Sequence, residues 1–180
     1  MGLMAAAALW GFAEATLFFI VPDVLLSGIA VGRDRRRALL GTVWTIAGAV
    51  AGGALMYCWG ARDSAGAIAM LDRLPAIAPA MITRVGDDLQ RAGLSAMVVG
   101  AFTGVPYKIY AVTAPAAGIG LGPFLAASVP IRALRFVFAV LIADVINRRL
   151  ATRLTRGQRL GLLAAVWLVF YAGYFALMPN

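Results

Sequence analysis

Histidine is absent from these 180 residues, and cysteine and lysine occur once each. Without histidine no Ser-His or Cys-His hydrolase can be assembled, histidine-dependent lipid phosphatases are excluded, and most zinc chemistry goes with them. Cys58 alone closes no disulfide within the chain and builds no thiolate metal site. No cofactor, no metal and no enzymatic activity are expected. Charge is scarce as well: 13% of residues are charged and 62% hydrophobic, with a mean hydropathy of +0.87. Soluble domains carry about a quarter charged residues, so a soluble globular protein is excluded. The composition predicts one integral membrane domain over 1–180, resident in the cell membrane. At about 20 residues per crossing there is space for roughly four to six crossing or dipping segments. The opening MGLMAAAALW has no basic residue before its apolar run, against a secretory signal, and Ala6 stands where a myristoylation signal needs serine or threonine.

What is present is a formal charge of +8. A nucleic-acid partner is not expected, because the arginines gather in RDRRR (33–37) and NRRLATRLTRGQR (147–159), each between apolar stretches. Short basic loops beside membrane spans read as cytoplasmic anchors, which places loops 32–38 and 147–159 inside, with anionic headgroups as available partners.

The uncharged run 39–60 is long enough to cross, with Gly48, Gly52 and Gly53 keeping one side thin for close packing. Residues 160–178 make a second span, ended by Pro179, and 124–146 a third that carries Pro130, Arg132, Arg135 and Asp144. Two apolar stretches are interrupted. Segment 3–31 holds Glu14 and a Pro22-Asp23 break, and segment 94–122 holds Pro106-Tyr107-Lys108 and ends in APAAGIGLGP. Broken backbone survives in hydrocarbon only where protein or a water-filled cavity satisfies it, so both read as re-entrant hairpins, with Pro22 and Pro106 as the structural breaks.

Charge bias sets their direction. Segment 61–93 is neutral, its four arginines offset by Asp63, Asp72, Asp87 and Asp88, and so belongs outside. Only if 94–122 enters and leaves from outside does loop 147–159 stay inside. For 3–31, charge permits either a hairpin from the cytoplasmic side or a single crossing. The expected fold is therefore all-α: an inverted repeat of re-entrant hairpin plus transmembrane helix (3–60 and 94–146), joined by an extracytoplasmic linker (61–93), with an additional C-terminal transmembrane helix (160–178). In the linker, Ile77, Met81, Val85 and Leu89 recur every four residues, predicting an amphipathic helix on the outer surface.

Ionisable groups inside apolar segments carry the chemistry. An unpaired charge at helix-centre depth costs about 2.5 to 3.5 kcal/mol, so Glu14, Asp23, Lys108, Arg132 and Arg135 need partners. Arg132 and Arg135, spaced i, i+3, share one helix face. If the two hairpin tips meet, two acids and three bases share one cavity with a positive balance. Arginine forks and a mobile lysine ammonium then suit a phosphate. Asp144 with Arg148 reads as an ordinary interfacial pair.

These residues also carry a resemblance. The stretch Phe102-Thr103, Pro106-Tyr107-Lys108, followed by Arg132, Arg135 and Phe136, resembles the second half of the DedA superfamily, also called the VTT or SNARE-associated Golgi protein family, and most closely its small YqaA-like branch. Glu14 before Pro22-Asp23 resembles the family's acidic hairpin, and Gly48, Gly52, Tyr57 and Gly60 resemble its glycine-tyrosine-glycine span. Better-known members have R-F-x-P-x-x-R where this chain has Ala101 before Phe102 and Lys108 in the later basic place; an acid common in the glycine span is replaced by glycine and alanine at 52–54. The resemblance implies transport of lipids by a flippase or scramblase, with anionic phospholipid or polyprenyl phosphate as partner. On this reading Lys108, Arg132, Arg135 and Tyr107 bind substrate, and Glu14 and Asp23 supply proton coupling or counter-charge. A homo-oligomer is compatible with it. The alternatives are a non-transporting scaffold registered by buried salt bridges and an exporter of a small anion.

Overall fold

The uncharged run 39–60 forms the centre of a helix longer than itself. In a computed structural model that describes residues 2–32 and 34–177, this helix is α3 (Arg35–Arg62), preceded by α1 (Gly2–Ala15) and α2 (Asp23–Gly32). There follow α4 (Ser64–Leu71), α5 (Pro79–Ala92), α6 (Ala96–Thr103), α7 (Tyr107–Thr113), α8 (Leu121–Leu150) and α9 (Arg156–Leu177). No strand occurs among the described residues. Arg33 of the first basic cluster, Met178 of the last span and its expected terminator Pro179 lie outside them.

Two helices, α3 and α9, are long and apolar enough to cross a membrane. At 1.5 Å per residue α3 and α8 each exceed about 40 Å, more than a ~30 Å hydrocarbon core, whereas α1, α2, α6 and α7 are each under about 22 Å. Both sequence-predicted arginine loops shrink. Asp34 caps α3, its carboxylate accepting from the Arg37 amide at 2.6 Å, so Arg35 to Arg37 form the first turn. At the other end Arg148 and Arg149 complete α8, where cations favour a helix C-terminus. The helix over the expected third span begins at Leu121, earlier than expected, because Gly120 is extended and releases the helix there; α8 is not one of the two helices apolar enough to cross.

Close glycine contacts define how the helices run. A Cβ added at Gly48 would stand 1.8 Å from the Ala8 carbonyl oxygen, and one at Gly52 2.8 Å from that of Phe12. So α1 runs alongside α3 in the same sense. Helix α2 returns, placing Leu26 and Ile29 against Gly41. Helix α7 accompanies the second half of α3, with Tyr107 on Gly53 and the Val112 backbone on Gly60. Helix α6 runs opposite to α7, since the Tyr110 hydroxyl donates to the Ala96 carbonyl at 3.3 Å. Helix α8 then descends: Phe124 meets Tyr57 near one end, and Phe136, Val140 and Ala143 pack with Leu26, Ile29 and Ala38 near the other.

The two breaks have local causes. After Ala15 the Thr16 hydroxyl donates back to the Phe12 and Ala13 carbonyls, both at 3.0 Å, and Trp10 Nε1 donates to the Ile20 carbonyl at 3.0 Å. Pro22 restarts the chain as the residue before α2, where its missing N–H costs nothing. The second break is Gly104, at φ +87, which ends α6; Pro106, extended, caps α7. A side chain at Gly104 would strain the left-handed backbone.

In the linker the amphipathic helix α5 is present, started by Pro79. Its inward stripe is Ile82, Val85 and Leu89, with Met81 only half-buried. A strict four-residue repeat drifts around a 3.6-residue helix, and Ile82 takes the place expected of Met81. Helix α4 was not anticipated; Asp63 starts it by accepting from the Gly66 amide at 2.8 Å.

Gly48→Ala drives a methyl into the α1 backbone and should lower thermal stability in detergent by at least ~1 to 3 kcal/mol equivalent, whereas Gly161→Ala, with open space around it, should not. Equal melting temperatures for the two variants would contradict the α1–α3 packing.

Candidate functional site

The last turn of α1 carries Glu14, and the first turn of α2 carries Asp23. Helix α8 passes both near its middle, and each acid meets one arginine. Arg132 is ion-paired with Glu14, and Arg135 Nη2 donates to Asp23 Oδ2 at 2.8 Å. The i, i+3 spacing of the arginines thus reads across to two acids on either side of one chain break.

Lys108, in the first turn of α7, behaves differently. Its ammonium donates to the Phe18 carbonyl at 2.5 Å and forms no ion pair among the described residues. It is buried, 2% exposed, which excludes a side chain snorkelling to the outer surface. Two of its three donor positions remain for a ligand. The same contact joins the two broken arms, because Phe18 lies in the 16–22 connection and Lys108 follows the 104–106 turn.

The backbone at the first break is held from three directions. Besides Lys108 and Trp10, the Val21 amide donates to the Tyr171 hydroxyl of α9 at 2.8 Å. In hydrocarbon each unsatisfied backbone group costs several kcal/mol. These contacts are what let irregular chain persist there.

Tyr107 braces the arginine and leaves little of itself for a ligand. Its ring stacks on Phe124 with an interplanar angle of 12°, its hydroxyl donates to Ser128 Oγ at 2.9 Å, and the Arg132 guanidinium lies 4.4 Å above its centroid. Phe136 approaches the same guanidinium at 5.0 Å. Arg132 is fixed on both faces. Arg135, with a quarter of its side chain exposed, is the more available of the two.

A cavity of about 70 Å³ lies between the arms, lined by Glu14, Phe18, Lys108, Arg135, Tyr171 and Tyr174 among others. It adjoins an apolar groove of about 510 Å³ where α6, α8 and α9 approach, with Val21, Gly104, Arg135, Phe170 and Tyr174 common to both. Asp23 borders the groove, and its Oδ1 is buried with no partner among the described residues, as is Arg132 Nε. Unsatisfied acceptor and donor atoms within the two ion pairs leave hydrogen-bonding capacity for a polar group.

The structure therefore brings together Glu14, Asp23, Lys108, Arg132 and Arg135, with Pro22 and Pro106 at the breaks, while Tyr107 and Arg132 lie behind the cavity wall. Asp144 pairs with Arg148 at 2.9 Å, away from this group, as expected. The helix expected over 160–178 is present as α9, but sequence reasoning missed its part in the site. Trp167 donates to Ser27 Oγ at 3.0 Å, and Phe170, Tyr171 and Tyr174 line the cavity. Their helical spacing was visible, but in an apolar span aromatics at that spacing are commonplace. No group of acids and cysteines capable of holding a metal occurs among the described residues. Compared with protein-family models, curated proteins and solved structures, the chain shows no match.

Breaking one buried pair leaves an uncompensated charge, at a cost of about 3 to 5 kcal/mol. Glu14→Leu should therefore destabilise strongly, and Glu14→Leu combined with Arg132→Leu should recover much of the loss. Thermal unfolding of the single and double variants measures this coupling; additive losses would show that the two residues do not act as a pair.

Proposed function

We propose that this protein is a multi-pass cell-membrane transporter that moves a phosphate-bearing lipid between leaflets, as a flippase or scramblase. The observation that carries the reading is Lys108. It is a buried ammonium with no carboxylate partner among the described residues, facing a cavity together with Arg135, at the meeting point of two broken helical arms. Burying an unpaired charge is costly. A phosphate in that cavity would offset the cost and meet the guanidinium as well.

In this reading α1–α2 and α6–α7 are re-entrant hairpins of opposite sense, and each joins a following span, α3 or α8, to make an inverted repeat. The opposed directions of the two pairs and the shortness of their helices support it. The arginine-rich ends of α3 and α8 then face the cytoplasm, and the α4–α5 linker faces outward. Arg135 and Lys108 take the headgroup, and the adjoining groove takes its hydrocarbon. Arg132, clamped by Glu14, Tyr107 and Phe136, positions the site. Glu14 and Asp23 neutralise the bases in the empty state or exchange protons. The resemblance to the DedA superfamily, with anionic phospholipid or polyprenyl phosphate as substrate, agrees with this geometry. Its motif residues Pro106, Lys108, Arg132 and Arg135 are the ones gathered here.

A structural scaffold is favoured by the two buried pairs, Glu14–Arg132 and Asp23–Arg135. Lys108 stands outside that network. Translocation of a fluorescent phosphate lipid in proteoliposomes tests the proposal. Arg135→Ala and Lys108→Met should each slow it about tenfold or more, the scale of a lost charge-assisted hydrogen bond. Glu14→Gln should slow it and flatten its dependence on pH. Unchanged rates in all three folded variants would leave the scaffold reading standing.

A further inference from the structure

A second groove, of about 600 Å³, lies on the other side of α6, between it and α5. Arg84 and Arg91 stand on its border with Asp88, and Val105 and Tyr110 form its deep end. The same Val105 and Tyr110 also line a small cavity, about 20 Å³, whose far wall is Arg132 and Arg135. That is space for about one water. Only these two side chains are common to the groove and the cavity.

We infer that the α5–α6 groove is a second access to the buried arginines, shut in this structure by Val105 and Tyr110, and that it admits a phosphate-class oxyanion. Four observations converge. The groove presents two guanidiniums held only by exposed i, i+4 pairs, Arg84 with Asp88 at 3.9 Å and Arg91 with Asp87 at 3.6 Å. Such pairs are weak and exchange readily for a better anion. Beyond the constriction, Arg132 Nε is a buried donor with no partner among the described residues. At the constriction the Tyr110 ring packs on Gly100, while its hydroxyl has one hydrogen bond among the described residues, to the Ala96 carbonyl at a long 3.3 Å. Finally, Val105 follows Gly104, the glycine at φ +87 that ends α6 next to the plug.

Arg135 thus has an approach on each side of α6: the α8–α9 groove, continuous with its cavity, and the α5 groove, closed. A small rotation of the α6–α7 turn that withdraws Val105 would open the second. This deepens the lipid-phosphate reading and rests on it, by giving the headgroup its route toward the linker side.

The test uses Met97→Cys, a residue that lines the small cavity and not the groove or the first cavity, in a Cys58→Ser background, reconstituted in phosphatidylcholine vesicles. Labelling rates are measured with an anionic and a cationic membrane-impermeant methanethiosulfonate. Slow labelling is expected, with the anionic reagent faster by about tenfold, the lower range of electrostatic focusing. Adding Tyr110→Phe, which removes the tether to Ala96, should raise both rates. Arg84→Gln with Arg91→Gln, both at exposed positions, should abolish the anionic preference, and this arm decides the matter even if the Tyr110 variant does not fold. Inorganic phosphate in the buffer or phosphatidic acid in the vesicles should protect the thiol, and which of them does so tells a free ion from a headgroup. Fast labelling without Tyr110→Phe, no charge preference, or protection by neither oxyanion overturns the inference. Because labelling is read without any transport, its failure beside intact lipid translocation removes only this second access, and the reverse result removes only the transport reading.

Discussion

A guanidinium in the middle of an apolar bundle has to be matched where it stands, and the pairing of Arg132 with Glu14 is the match on which this fold depends. The acid sits at the end of a helix too short to cross a membrane, and the base at the centre of one long enough to do so. Their meeting fixes how deep α1 reaches along α3 and where α8 passes. The second pair, Arg135 with Asp23, secures the other side of the same break. Tyr107 and Phe136 then enclose the first guanidinium between two rings, which offset part of its lost hydration by cation–π attraction.

Irregular backbone at the tips follows from the same constraint. Seven residues between α1 and α2 leave the helical ladder, and side chains meet their backbone at three points: Trp10 and Lys108 donate to the Ile20 and Phe18 carbonyls, and Tyr171 accepts from the Val21 amide. Two of these three side chains come from the arms, and the third from α9. Helix α9 has no buried residue of its own, yet it closes the cavity with aromatic rings and two hydrogen bonds. It forms one wall of the cavity.

A division of labour emerges among the bases. Arg132 is immobilised, Arg135 is partly open, and Lys108 holds a single carbonyl on a flexible stem. In the proposed function, fixed charge, accessible fork and flexible ammonium side by side serve as a graded anion site, and the apolar groove beside it takes the hydrocarbon of an amphiphile.

The all-helical class, two helices long and apolar enough to cross a membrane, and interruptions near Pro22 and Pro106 were legible in the sequence. Hydropathy, Pro22 and Pro106 act within a turn or two of themselves, and Gly48 and Gly52 announced a close packing face; Gly104, which ends α6, went unread. The residues of the charged cluster were legible too, because buried charge is rare enough to stand out. Their partners were not. Glu14 and Arg132 are 118 positions apart, Asp23 and Arg135 are 112, and Lys108 and Phe18 are 90. Local propensity carries no information over such separations, and two acids with three bases permit several matchings of similar charge balance. Only the packed arrangement of α1, α2, α7 and α8 decided that lysine would take a backbone carbonyl and leave both acids to arginine, and only the approach of α9 decided that an apolar span would supply the wall of the site.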